Sequence, residues 1–341
     1  MLISDLPRFV FIVGAPRCGT TTIAGFLKKH PRICFPTVKE PHFFVQYDLG
    51  ALDDLGLREL TQREFLDRFY GHCHADRDIG VDGSVSYLYV PERLLPALRL
   101  FPDALFIIAV RDPMTMLPSL HSRLRYTGDE TIGRFEDAWA AISDRAAGRR
   151  IPRSALDPRW LRYDEAGRFG TYVGQFFDTI GRERCFVSVF DDLVADPDGQ
   201  YRAICEFVGI KPFAGTKLRP KRESRGFRFG WLQRLLKRPP GFARDYLAGK
   251  QFRQRERKLD DDLDESEAIE KFFSIRKRIL RWNRVPLRKR PVPLAVQNDI
   301  RARLSDEIAR LGRLIRRDLG HWLEVKPVDQ PQAGKSSELS P

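Results

Sequence analysis

The run that most constrains this sequence lies near its start. The apolar stretch Phe9-Val-Phe-Ile-Val13 leads into Gly14-Ala-Pro-Arg-Cys-Gly-Thr20 and then into the helix-forming Thr21-Thr22-Ile23. A buried strand that passes through a loop bounded by glycines into a helix aims backbone N–H groups and a helix N-terminus at an anion. A triphosphate-binding loop needs G-x-x-x-x-G-K-[ST], because its lysine reaches the outer phosphates and its hydroxyl holds magnesium. Gly14 and Gly19 have that spacing, but position 20 is threonine, and Arg17 is the only fixed charge in the loop. Arg17, Cys18, Gly19, Thr20 and Thr21 are therefore expected to hold a single 5′-phosphate group and no metal-bridged triphosphate.

Beyond the loop, short β-rich runs alternate with helical stretches. Strands are expected at 9–13, 33–35, 79–83, 105–110 and 185–190, and helices at 21–29, 63–69, 91–101, 115–126, 135–147, 171–180, 197–208 and 297–318. The alternation predicts an α/β fold, a P-loop-like central parallel β-sheet with helices on both faces. No linker separates folding units, so one domain is expected over 1–325. Within it, 211–290 stands apart. It opens basic and aromatic, passes an acidic patch at Asp260-Asp-Asp-Leu-Asp-Glu265, and turns basic again from Arg276 to Arg290. It reads as a basic lid or insertion, and the Pro-, Gln- and Ser-rich 326–341 as a disordered tail.

The net charge of +13 over 341 residues calls for an anionic partner: a cofactor, an acidic glycan, a membrane surface or a nucleic acid. Most of the surplus lies late in the chain, so cofactor binding alone does not account for it. The five cysteines form no C-x-x-C pair and no metal-ligand spacing, and their odd, scattered placement favours a reducing compartment. With neither a signal peptide nor an apolar anchor before Phe9, the expected location is the cytoplasm, with peripheral attachment at an anionic membrane surface.

The loop resembles the start of PAPS-dependent sulfotransferases of the bacterial and carbohydrate type, in which the same unit grips the 5′-phosphosulfate of 3′-phosphoadenosine 5′-phosphosulfate. Further segments resemble that family in order: Lys39-Glu-Pro-His-Phe-Phe44, Phe106-Ile-Ile-Ala-Val110 with Arg111-Asp-Pro113 and Ser119, Gly170-Thr-Tyr172, Phe190-Asp-Asp-Leu193, and Leu311 through Trp322. The resemblance implies a transferase that moves a sulfuryl group from PAPS, without a metal, to a hydroxyl or amine of a glycan, lipid-linked or small-molecule acceptor. The 211–290 segment would then lie on the acceptor side.

Such a reaction must hold the donor, stabilise charge on the leaving phosphate and remove the acceptor proton. Arg17 suits the leaving group, although the family often has lysine there, and arginine stays charged and so stabilises rather than protonates. Arg111 and Ser119 are the expected 3′-phosphate contacts. A second 3′-phosphate loop falls among Lys217, Lys221, Arg222 and Arg225. Glu40 is carried over as the base, with its pKa expected to rise beside Phe43 and Phe44, and His42 is its rival. Lys39, Ser84 and Tyr87 are expected on the acceptor side. Cys18, at a helix N-terminus beside Arg17, is expected to be reactive. Two other classes share these features: a P-loop kinase-like phosphotransferase, which the missing lysine disfavours, and a nucleic-acid-binding protein stacking bases on Phe227, Phe229 and Trp231, which lacks a recognition motif.

Overall fold

Phe9 to Val13 are each completely buried and form the middle of β1 (Arg8–Gly14), the central strand of the molecule. The computed structural model describes residues 6, 8–74, 77–214, 225–237, 267–286 and 290–324. Around β1 lies a five-stranded parallel sheet in the order β2-β3-β1-β4-β5, with β2 at Ile33–Cys34, β3 at Ile79–Asp82, β4 at Leu105–Val110 and β5 at Cys185–Val189. The strands are continuous apolar runs because helices cover both faces of a parallel sheet. The register places Val10 beside Val81 and Phe11 beside Phe106. Phe11 stacks on Phe106 at 5.3 Å and meets Phe44 edge-on at 5.6 Å. Each such fully buried aromatic stabilises the fold by about 1.5–3 kcal/mol over an exposed one.

The chain runs from β1 outward to β2 and β3, then crosses β1 to lay down β4 and β5 on the other side. That reversal beside β1 is the topological switch point, and ligands of open α/β sheets bind outside the carboxyl ends of the strands there. The glycine loop and α1 (Thr20–Leu27) follow β1, while α3 (Pro113–Thr127) follows β4.

Most expected helices are present with shifted ends, among them α4 (Phe169–Ile180), α5 (Pro197–Val208) and α8 (Leu294–Ile315). The helix expected at 63–69 starts earlier, as α2 (Asp54–Thr61), and continues through a π-turn at Gln62–Asp67. Asp53 caps α2 by accepting from Gly56 N at 2.8 Å, a start signal hidden among residues that also suit a turn. The 91–101 segment opens as a 3-10 turn, Pro91–Leu94, before Leu95–Leu100 becomes helical.

The last described residues lock the sheet. α8 packs on α4, where Glu307 accepts from Thr171 N at 2.7 Å and from Thr171 Oγ1 at 2.6 Å. Past α8, Trp322 Nε1 donates to Asp191 at 2.9 Å, and Arg317 donates to Asp192 at 2.7 Å. Both acids sit in the short helix Phe190–Ala195 after β5, so these contacts fix the turn that places Phe190.

Where the scattered cysteines suggested no pairing, Cys34 and Cys73 form a disulfide across Cα atoms 5.8 Å apart. A separation of 39 residues hid the pair, because only the return of the chain to β3 brings them together. Cys18, Cys185 and Cys205 are free and buried.

Part of 211–290 is described. β6 (Arg225–Phe227) and β7 (Arg284–Pro286) form a separate antiparallel pair carrying α6 (Gly230–Lys237) and α7 (Glu267–Trp282). Gln233, nearly fully buried, donates to Tyr126 O at 2.8 Å and so docks α6 on the C-terminal end of α3. Buried Asn283 clasps the hairpin through Phe229 N at 2.8 Å and Phe229 O at 3.1 Å. The acidic patch and the 326–341 tail lie outside the described residues. Among those described, no helix is long and apolar enough to cross a membrane.

Candidate functional site

The phosphate loop is shaped by its glycines. Gly19 has φ of 92°, and a Cβ there would lie 2.5 Å from Leu193 Cδ2 and 3.2 Å from Phe190, so neither the backbone nor the space admits a side chain. Gly14 has φ of 149°, and a Cβ there would meet Val85 O at 2.8 Å, so the start of the loop presses against the segment that follows β3. α1 has no side-chain cap. The first N–H groups of a helix have no partner within it and suit an anion from outside.

Two guanidinium groups meet here, Arg17 from the loop itself and Arg111 from the end of β4. Arg17, left-handed at φ of 69°, donates through Nε to Ser119 Oγ at 2.9 Å, tying the loop to α3. Arg111, just past β4, donates to Arg17 O at 3.1 Å and to Thr115 Oγ1 at 2.8 Å. Its guanidinium lies 4.2 Å over the Phe190 ring, a cation–π contact that orients it. Asp112 caps α3 by accepting from Met114 N at 2.9 Å, which fixes the direction in which α3 leaves the strand. Met116, one turn into α3, is fully buried and belongs to the core. Of the second 3′-phosphate loop, Lys217, Lys221 and Arg222 lie outside the described residues, while Arg225 begins β6.

Cys18 departs from its expectation. The thiol is fully buried, and burial pushes its pKa up to about 12, outweighing the lowering by Arg111 and Arg17. Its N–H points inward, to Ala15 O at 3.3 Å. The loop at this residue is a packed turn in which burial disfavours the thiolate.

Beside β3 lies a second cluster. Lys39 Nζ donates to Glu40 Oε1 at 2.8 Å and to Gly83 O at 3.2 Å, while Gly83 N donates to Lys39 O at 3.0 Å. His42, left-handed at φ of 56°, holds Nδ1 2.9 Å from Ser86 Oγ and Nε2 3.6 Å from Glu40 Oε2. Glu40 does not have the raised pKa expected of it. Burial pushes the carboxyl up, but His42 and the Lys39 ammonium together outweigh it and hold Glu40 at about 2. Phe43 and Phe44 pack in the core against Phe65 and Phe11, so the cations beside Glu40 decide the direction.

Ser84 and Tyr87 were expected to touch the acceptor, but both are fully buried and bonded to Asp82. Ser84 Oγ donates to Asp82 Oδ1 at 2.6 Å and Tyr87 Oη to Asp82 Oδ2 at 3.0 Å. They hold the main chain of the neighbouring segment, through His42 N and Phe44 N. Asp82 itself went unnoticed in the sequence, where an acid ending the apolar run Ile79–Asp82 was the available signal. Burial raises it to about 6 against the lowering by Ser84 and Tyr87. Phe190 was visible as a landmark, but its place under Arg111 and against Gly19 was not.

Residues 58–214 match the family model described as "Sulfotransferase family". Human heparan sulfate glucosamine 3-O-sulfotransferase 3B1 is 25% identical over 248 residues, which is 72% of this chain and 55% of that protein. The chain thus spans about half the length of the curated relatives it matches. Human carbohydrate sulfotransferase 15 is 40% identical over 67 residues, 19% of this chain and 12% of that protein. Among solved structures, a sulfotransferase from Alicyclobacillus acidocaldarius superposes with a TM-score of 0.57 at 22% identity, covering 92% of this chain and 98% of the other, and so shares its fold. Over residues 58–214 the chain is thus similar in sequence to the sulfotransferase family, and its parallel sheet has the fold of a solved sulfotransferase.

Proposed function

We propose that this chain transfers a sulfuryl group from PAPS to a hydroxyl or amine of a glycan acceptor. The observation that carries the reading is the convergence of Arg17, Ser119 and Arg111 at the N-terminus of α1, which has no side-chain cap, beside β3, against whose end the loop bearing the Lys39–Glu40 pair is held. The loop and Arg17 suit the 5′-phosphosulfate, and Arg111 with Ser119 suits the 3′-phosphate. In the transfer the acceptor atom bonds to sulfur as the bond from sulfur to the bridging oxygen breaks. The acceptor proton passes to Glu40. The charge left on the 5′-phosphate is held by Arg17 and the loop N–H groups. Glu40 near 2 is a weak base while Lys39 is bound to it, so an acceptor or sulfuryl oxygen that draws Lys39 away also raises the basicity of Glu40. The glycan class is drawn from the names of the relatives and from the chain's basic charge.

Adenosine 3′,5′-bisphosphate is expected to bind much more tightly than AMP or ATP in a calorimetric titration, with no need for magnesium. Arg111→Ala removes one charged phosphate contact and should narrow the preference over AMP by about 1.5–3 kcal/mol, roughly ten- to hundredfold. Equal affinity for all three nucleotides would sink the assignment, and a magnesium-dependent preference for ATP would point to the kinase class.

A partner beyond the acceptor follows from the face of α6 and α7. With Gln233 turned inward, Trp231 and Leu235 stand one helical turn apart on the outer side of α6, 68% and 49% exposed. Exposed Trp282 at the end of α7 stacks on exposed Phe229 at 5.8 Å, which joins the two helices' outer sides. Arg228, Arg234, Arg278 and Arg281 surround these groups and are exposed. Aromatic and aliphatic side chains ringed by arginines complement an anionic lipid surface. The protein is expected to sediment with phosphatidylglycerol-containing vesicles at low salt and not with pure phosphatidylcholine, and Trp231→Ala with Leu235→Ala should abolish the effect. Protein left in the supernatant with anionic vesicles would exclude this partner.

A further inference from the structure

We infer that Asp82 is a positioning residue for the segment that carries the base, acting through the hydroxyl groups of Ser84 and Tyr87. The inference rests on the transfer reaction proposed above. Asp82 ends β3 and is completely buried. An ionised carboxylate only accepts hydrogen bonds. The proton of Ser84 Oγ is therefore committed to Asp82 Oδ1 at 2.6 Å, and that of Tyr87 Oη to Asp82 Oδ2 at 3.0 Å. With their protons spent, both hydroxyl oxygens present lone pairs to donors elsewhere. Ser84 Oγ accepts from His42 N at 2.9 Å, and Tyr87 Oη accepts from Phe44 N at 3.3 Å.

Asp82 thus reaches the main chain just past Glu40 by two parallel routes, each one hydroxyl long. Both grip N–H groups of Lys39–Phe44, and neither touches the reacting atoms. His42 is held in the left-handed region, which a non-glycine residue adopts only where its surroundings impose it. The bond from its N–H to Ser84 supplies that constraint and fixes the turn on which Glu40 stands. Ser84 N–H also donates to Asp82 Oδ1, at 2.8 Å, so the serine cannot swing away without breaking two bonds to one oxygen. An asparagine at 82 would offer an N–H to one of the hydroxyls, turning that hydroxyl's proton toward a backbone donor and opposing two donors on that route.

The test uses Asp82→Asn and Ser84→Ala, each alone and combined with Glu40→Gln. In the wild-type background each should lower kcat by about ten- to hundredfold through misplacement of the base, with affinity for adenosine 3′,5′-bisphosphate retained. In the Glu40→Gln background the further loss should shrink to about twofold or less, because there is no base left to misplace. A general structural role would cost the same factor in both backgrounds, and that result would overturn the inference. Hydrogen exchange read by mass spectrometry on peptides covering 41–47 needs no activity, so it separates failure of this inference from failure of the proposed reaction. Ser84→Ala should speed exchange there and leave β1 and β4 unchanged. Unaltered exchange in 41–47 would also overturn the inference. Should Asp82→Asn fail to fold, Ser84→Ala, which removes one hydroxyl, carries both measurements.

Discussion

Glu40→Gln is expected to lower turnover by about 10²–10⁴-fold while leaving affinity for adenosine 3′,5′-bisphosphate unchanged. Glutamine keeps the shape and can still accept from Lys39, but it cannot take the acceptor proton. Nucleotide affinity should hold because Glu40 stands beside β3, whereas the expected nucleotide contacts follow β1 and β4. With its pKa near 2, Glu40 is ionised throughout the working range of the free enzyme, so an acid limb in kcat/KM near neutrality must belong to another group. The stability linkage has the corresponding sign. The folded value lies below the ordinary 4.5, so ionised Glu40 stabilises the fold fully above that pH and the contribution is lost as pH falls toward 2. His42→Asn should cost far less than Glu40→Gln in single-turnover assays. The reverse ranking would move the proton acceptor to His42.

Arg17→Ala should cost about 10²–10³-fold in turnover, and unlike Glu40→Gln it should also weaken nucleotide binding. The residue does two things at once. It places a cation where charge grows on the leaving phosphate, and it ties the loop to α3 through Ser119. Backbone strain does not confound the comparison, since arginine already holds φ of 69° there and alanine adds no bulk at Cβ. Arg17→Lys separates the two roles. Lysine restores a charge but not the directed bond from Nε to Ser119, so turnover should recover further than nucleotide affinity. Full turnover in Arg17→Ala, measured with saturating donor, would remove Arg17 from the transfer step.

The lysine-free loop, the positions of the strands along the chain and the place of Arg111 at a strand end were legible in the sequence because each is a local pattern. A period of two or 3.6, a glycine spacing or a strand boundary depends on residues within a few positions of one another. The expected order of landmarks is the order in which the chain lays down β1, β3, β4 and β5. Arg17 and Ser119 could be named separately, but their hydrogen bond spans 102 positions and exists only because β1 and β4 are neighbours. The pairing of Cys34 with Cys73 is likewise a product of the chain's return to β3.

Protonation states went furthest astray. Sequence neighbours suggested a thiolate at Cys18 and a raised pKa at Glu40, and the fold reverses both. Local charge beside Cys18 is real, but burial outweighs it, and the complete burial of that side chain comes from the folded loop and not from its sequence neighbours. At Glu40 the balance goes the other way, because Lys39 and His42 are held against the carboxylate by Gly83 and Ser86 from another segment. Composition and spacing determine which groups a chain owns and roughly where along the sheet they emerge. Desolvation and charge–charge distance, which set what those groups can do, are sums over neighbours from the whole chain, and only the tertiary structure supplies them.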